Sequence, residues 1–207
     1  MRLLCLGDSI TDCGRLLDFP PLGNGYVKQL ASLLKDGRAN WEVCNKGTDG
    51  LTLSRLLQNY AKDALSLNPD VLTILIGIND IGLMMNTDRS KEQQEEMLAL
   101  FMNRYDRLLS ILTPGIGRIL LLEPFLFPYP AEYLGWLPLA GRMSEGIRTL
   151  AEKYRLVFLP LQEPLNKAVQ TYGSEKITTD GIHLTEKGHS VIAGRLYAFL
   201  TRYPPVL

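Results

Sequence analysis

An α/β fold built on one parallel sheet is predicted by three observations. The chain has 207 residues, enough for a single domain, 1–207, that buries roughly 70% of the surface its unfolded chain exposes and needs no disulfide or metal to hold its core. Three runs, LLCLG (3–7), VLTILIG (71–77) and RILLLEP (118–124), are continuously apolar. Apolar runs that do not alternate mark strands covered on both faces, as parallel strands are. Segments of helical periodicity separate them, so successive strands read as right-handed βαβ units.

The elements follow in order. LLCLG opens the sheet and stops at Gly7. Tyr26 to Leu34 is helical and stops near Gly37. WEVCN (41–45) is a shorter strand candidate, and Leu51 to Leu67 is a second helix, ended by Asn68-Pro69 because proline cannot continue a helix interior. After VLTILIG comes the clearest helix, with Leu98, Phe101, Tyr105, Leu108, Leu109 and Leu112 on one stripe. Ser90 and Gln93 have the spacing of its capping box, and DRSKEQQEE (88–96) is then a solvated first turn rather than a binding tail. RILLLEP leads into the longest irregular piece, EPFLFPYPAEYLGWLP (123–138). Leu139 to Tyr154 is helical, LVFLP (156–160) is a last strand candidate, and helices over Leu161 to Tyr172 and Glu186 to Arg202 complete the chain. Tyr203-Pro204-Pro205 is open to two readings, a frayed tail or a docking arm. There is no internal repeat, low-complexity tract or linker.

The totals exclude some classes of function. Lys plus Arg and Asp plus Glu number 22 each, so nothing steers the chain toward nucleic acid or an anionic membrane. Cys5, Cys13 and Cys44 are odd in number and form no Cys-x-x-Cys pair, which reads as free thiols in a reducing compartment. Cys5 and Cys44 fall in strands and read as small core residues. A zinc site is not expected, because the two histidines, His183 and His189, have no cysteine near them. The apolar run Leu3 to Leu6 is shorter than the roughly 7–15 residues of a signal-peptide core, and no stretch approaches the roughly 20 apolar residues of a membrane span. The expected location is the cytoplasm.

In open α/β sheets, ligands bind beyond the carboxyl ends of the strands, and Ser9 lies two residues past the first. A serine hydroxyl needs a base to take its proton, an acid to orient that base, and donors for the oxyanion that forms when a carbonyl is attacked. His183, in TTDGIHLT (178–185), has Asp180 three residues before it, a spacing that lets a carboxylate reach the far ring nitrogen in a turn. His189 has no such partner, falls in the last helix and reads as a packing or surface residue. Candidate donors are the Ser9 amide, the Gly47 amide in NKGTDGLT (45–52), and the Asn79 side chain in IGIND (76–80). Taken singly, each has a bland alternative: a loop histidine, a strand-to-helix turn, an Asx turn or helix cap. Polar clusters after three strands at one end of the sheet, with an Asp/His pair before the final helix, make chance a poor account. GHS (188–190) is not a Gly-x-Ser-x-Gly elbow, since the fifth position is Ile192, and the glycine-rich phosphate loops are absent.

GDSIT (7–11), the Gly47 segment, GIND (77–80) and DGIH (180–183) resemble, in order, the four motif blocks of the SGNH hydrolases, also called GDSL esterases or lipases. The resemblance implies a flavodoxin-like three-layer α/β/α sandwich with a five-stranded parallel sheet. It implies Ser9 as nucleophile, His183 as general base and acid, Asp180 as its partner, an oxyanion hole from Ser9, Gly47 and Asn79, and no metal or organic cofactor. GDSITDCGR (7–15), GNGYV (23–27), NKG (45–47) and IGIND (76–80) look closest to bacterial acetylxylan-esterase-like carbohydrate acetylesterases. Members of that type can carry a tryptophan just before the motif aspartate, where this chain has Thr179. Sugar stacking must then come from elsewhere, and Phe127, Tyr129, Tyr133 and Trp136 are open to stacking on a sugar, walling an acyl pocket, meeting another subunit or packing on their own domain. The expected activity is hydrolysis of short acyl esters of carbohydrates or small alcohols through an acyl-enzyme. Its rivals are a lysophospholipase or thioesterase, and a non-catalytic flavodoxin-like module binding nucleotide or phosphate. Expected partners are a small-molecule ester and, as an open option, further copies of the chain.

Overall fold

The computed structural model describes residues 1–35, 37, 39–86 and 88–203; Pro204 and Pro205, for which a tail or arm is expected, lie outside the described residues. Five strands, β1 (Arg2–Gly7), β2 (Glu42–Gly47), β3 (Val71–Leu75), β4 (Arg118–Leu122) and β5 (Val157–Leu159), form one parallel sheet in the order β2-β1-β3-β4-β5. This is the flavodoxin-like order. The helices are α1 (Ser9–Asp12), α2 (Tyr26–Lys35), α3 (Leu53–Asp63), α4 (Ile78–Met85), α5 (Lys91–Leu112), α6 (Leu137–Lys153), α7 (Gln162–Tyr172) and α8 (Glu186–Arg202).

The apolar runs are strands because both of their faces are covered. Leu3, Leu4 and Leu6 of β1, Leu72 and Ile74 of β3, and Leu120 to Leu122 of β4 are wholly buried. The step from β1 to β2 runs along the sheet in the direction opposite to the later steps. Right-handed crossovers therefore put α2 on one face and α3, α5 and α6 on the other. α8 returns to pack on α2, while α3, α5 and α6 pack in a row. Gly7 is level with both Gly47 and Leu75, so three strands end in one line beneath the loops that follow them.

Where the structure departs from the sequence reading, end effects explain it. Leu51 to Leu67 is not one helix: α3 ends at Asp63, a 3-10 turn spans Leu65–Leu67, and Asn68 turns out in the left-handed region (φ 45°). α5 begins seven residues before its apolar stripe. Ser90 Oγ accepts from the Gln93 N–H at 3.3 Å, and Gln93 Oε1 accepts from the Ser90 N–H at 2.9 Å, the expected capping box. α1 and α4 were not anticipated; they are too short to show a periodic stripe.

The exit of β4 is anchored by a buried carboxylate. Glu123 Oε2 accepts the N–H groups of Leu161 (2.8 Å) and Gln162 (2.9 Å) at the start of α7, and Oε1 accepts from Ser144 Oγ of α6 at 2.5 Å. One side chain thus joins the sheet to two helices and satisfies amides that a helix start leaves open. Glu123→Ala is expected to cost about 2–4 kcal/mol, because it strands buried donors. A urea melt with a lowered midpoint and unchanged slope would register that loss.

Candidate active site

The Ser9 turn is built by a helix cap. Asp8 ends the β1 exit, and its Oδ1 accepts the Ile10 N–H at 3.1 Å, which starts α1 with Ser9 as the first helical residue. In that position the Ser9 N–H donates to none of the described residues. Beneath it, Thr11 Oγ1 and Tyr26 Oη share a buried hydrogen bond of 3.0 Å. Asn45 Nδ2 donates to Thr11 O at 2.7 Å and to Leu22 O at 2.8 Å. The turn is therefore pinned from α2 and β2.

The loop before α8 brings His183 to that turn. Asp180 Oδ1 accepts the N–H groups of Ile182 (2.9 Å) and His183 (2.7 Å), and Oδ2 lies 2.6 Å from His183 Nδ1. An ionised carboxylate only accepts, so the proton sits on Nδ1 and leaves Nε2 as an acceptor. The Ser9 hydroxyl lies 2.9 Å from that nitrogen and donates to it. Burial works against the Asp180 charge, but bonds from the His183 ring and from the His183 and Ile182 amides outweigh it and hold its carboxyl below the usual range. The segment after β4 grips this loop: the Phe127 N–H donates to Gly181 O at 2.9 Å. Gly181 sits at φ 92°, and a Cβ there would lie 1.5 Å from Tyr129 O.

The donors fall unequally. Asn79, in the first turn of α4, donates one Nδ2 hydrogen to Leu51 O at 3.0 Å, which orients the amide and leaves its second hydrogen. The Gly47 N–H is spent inside the protein: it donates to Asn45 Oδ1 at 2.8 Å. Its expected use as an oxyanion donor does not fit that bond. What position 47 demands is closeness, since a Cβ would lie 2.1 Å from Asp12 N. Gly50, three residues on, takes a left-handed φ of 64°, its N–H donates to none of the described residues, and it shares a cleft of about 480 Å³ with Asn79, Gly82, Tyr133, Trp136 and Ile182. Glycine spacing alone did not separate positions 47 and 50; the Asn two residues before Gly47, poised to take its amide, was the available signal.

Two buried carboxylates were missed as well. Asp80 Oδ2 accepts the Leu53 N–H at 3.1 Å and so caps α3. Burial pushes its carboxyl up to about 6, and burial pushes Asp8 up to about 7 against the Ile10 N–H and the charge of His183, with the Asp80 charge adding to the rise. His189 is a packing residue, as expected. It is buried, accepts the Tyr26 N–H on Nδ1 at 3.2 Å and lies 3.6 Å from Cys13 Sγ, and burial lowers its pKa to about 4. Phe127 and Trp136 are buried in their own domain, whereas Tyr129 is exposed and Tyr133 lies tilted on Trp136 at 4.5 Å. Among the described residues, no group of three or more His, Cys, Asp or Glu side chains could hold a metal ion, and no helix is long and apolar enough to cross a membrane.

Two outcomes are expected. Gly181→Ala must displace the Asp180–His183 loop from Tyr129 O, and a shift of about 1 Å there should lower kcat on the order of 10²-fold with the far-ultraviolet circular dichroism unchanged. Asp8 holds its proton more tightly when folded than in the unfolded chain, where the value is about 3.9. That contribution to stability is full below pH ~4 and lost as pH rises through about 7. The Tm of Asp8→Asn should therefore gain on that of the parent between pH 4 and pH 8.

The GDSL-like lipase/acylhydrolase family profile matches residues 5–191. An acetylxylan esterase from Geobacillus stearothermophilus is 28% identical over 93% of this chain and 90% of its own length. An acetylxylan esterase from Xylanibacter ruminicola is 25% identical over 93% of this chain, which spans only 42% of that longer relative. Among solved structures, the acetylxylan esterase Axe2 from G. stearothermophilus superposes with a TM-score of 0.83 at 27% identity, over 96% of this chain and 92% of that one. LAE5, an α/β hydrolase from the metagenome of Lake Arreo, Spain, does so with 0.83 at 26% identity, over 95% and 93%.

Proposed function

The chain belongs to the GDSL-like lipase/acylhydrolase family, and from that membership we propose that it is a single-domain serine esterase removing acetyl groups from carbohydrates, with Ser9, His183 and Asp180 as its catalytic triad. The observation that carries the reading is the unbroken relay from the Ser9 hydroxyl (2.9 Å) through His183 to Asp180 (2.6 Å). The acetylxylan esterases among its relatives support the choice of acyl and alcohol.

The reaction runs in two halves. Ser9 Oγ attacks the ester carbonyl as its proton passes to His183 Nε2, and Asp180 stabilises the imidazolium. The carbonyl oxygen becomes an oxyanion facing the Ser9 N–H and the free Asn79 Nδ2 hydrogen, and we assign the third donor to the Gly50 N–H in place of Gly47. His183 then protonates the leaving alcohol. Water, deprotonated by the same imidazole, attacks the acyl-enzyme, and as the second oxyanion collapses His183 returns that proton to Ser9 Oγ, which leaves as the acid is freed. The free thiols of Cys5, Cys13 and Cys44 support a reducing, cytoplasmic setting.

The discriminating experiment is a fluorophosphonate probe followed by a substrate panel. A mass shift located to Ser9, with acetylated xylooligosaccharides turned over faster than long-chain acyl glycerophospholipids and acyl thioesters, is the expected result. An unlabelled protein that binds nucleotide would overturn the enzyme reading, and preference for the long acyl or thioester substrates would overturn the acetyl assignment. Asn79→Ala is expected to lower kcat on the order of 10²–10³-fold, the cost of one oxyanion donor, and Ser9→Ala by more, since nucleophile and base act as a unit. Steady-state kinetics on an acetyl ester, with folding verified by circular dichroism, checks both.

A further inference from the structure

The cleft beside Asn79 is larger than an acetyl group requires. It holds about 480 Å³, whereas a methyl group needs about as much room as one water, ~30 Å³. Ile78, Leu83, Trp136 and Ile182 make its walls largely apolar. Gly82, inside α4, also lines it. Glycine weakens a helix interior relative to alanine, so its presence asks for a reason. Backbone conformation is not the reason, for Gly82 has no left-handed φ; nor is crowding, since an added Cβ would lie 3.8 Å from the Trp136 indole and 4.0 Å from Asn86 Nδ2, both ordinary contacts. What glycine leaves is space between the indole and the amide. Residues three apart share a helix face, so this space opens one turn along from Asn79, about 4.5 Å at 1.5 Å per residue.

We infer that this cleft is the acyl-chain pocket and that Gly82 sets its depth, admitting straight acyl groups longer than acetyl, with butanoyl the first to reach it. The inference rests on the serine-esterase reading above and adds which side of the ester the cleft takes. His183 Nε2 must meet the leaving oxygen to protonate it, and that ring is half exposed, so the alcohol leaves toward solvent. The carbonyl lies against Asn79, and its acyl substituent is left to face the apolar walls.

The test measures kcat/KM for p-nitrophenyl acetate, butanoate and octanoate with the parent, Gly82→Ala and Gly82→Leu. The parent is expected to take butanoate at least as well as acetate. Gly82→Leu, which fills the space, should lower the butanoate-to-acetate ratio roughly tenfold or more, the scale on which a pocket senses a misfit methylene, with Gly82→Ala between. A parent whose kcat/KM drops about tenfold from acetate to butanoate overturns the inference with no variant needed. So does a folded Gly82→Leu that keeps the parent ratio, or one that loses acetylated xylooligosaccharides while keeping butanoate, which would give the cleft to the alcohol. If Gly82→Leu does not fold, Gly82→Ala reads the same ratio. A parent that hydrolyses none of these esters and resists the fluorophosphonate overturns the esterase reading itself and this inference with it, whereas labelling at Ser9 alongside an unaltered ratio overturns only the inference.

Discussion

The structure depends on the gap that opens where β1 and β3, side by side in the sheet, send their chains to opposite faces. Strand order makes that gap unavoidable, because the chain leaves β1 toward β2 and later crosses back to lay β3 on the other flank. The residues proposed to touch the reacting carbonyl are gathered around it. Ser9 rises from one lip and Asn79 from the other, and His183 is delivered across 174 residues of chain to within a hydrogen bond of the first. Parallel pairing puts all the strand exits on one side of the sheet, and the shared level of Gly7, Gly47 and Leu75 keeps them in line.

Around that gap, local hydrogen bonding does the aiming. Asp8, Asp80 and Asp180 are neighbours in chemistry and opposite in role. The first two are buried caps that start helices, and desolvation makes them reluctant to ionise; the third is half exposed and receives enough N–H donors to stay charged. Solvent at the His183–Asp180 pair screens their attraction. Orientation through the Ile182 and His183 amides therefore matters more to the relay than raw charge does.

Much of this was legible in the residues. The continuously apolar runs marked the strands because burial on both faces leaves no room for alternation, and the capping box at Ser90 placed the start of the longest helix. Ser9, Asn79, Asp180 and His183 stood out as candidates by following strands or preceding a helix, and the structure brings Ser9, His183 and Asp180 into one line of hydrogen-bond contacts. Two kinds of feature were hidden. α1 and α4, at four and eight residues, are too short to carry a periodic stripe, and their caps matter more than their faces. The partition between Gly47 and Gly50 depends on where a single amide points. That direction is set by Asn45, a side chain read only as the end of a strand until its bonds to β2, α1 and the loop at Leu22 are seen.

Tyr129 O and Gly181 meet so closely that the segment after β4 and the histidine loop behave as one mechanical part. The same segment supplies Tyr133 and Trp136 to the wall of the cleft. Insertions or deletions between Glu123 and Trp136 would thus reshape the cleft and, through the same backbone contact, tilt the imidazole. On the proposed mechanism, selectivity and proton transfer are geared together in this chain, so evolution toward a new substrate by that route must re-seat the histidine in the same step.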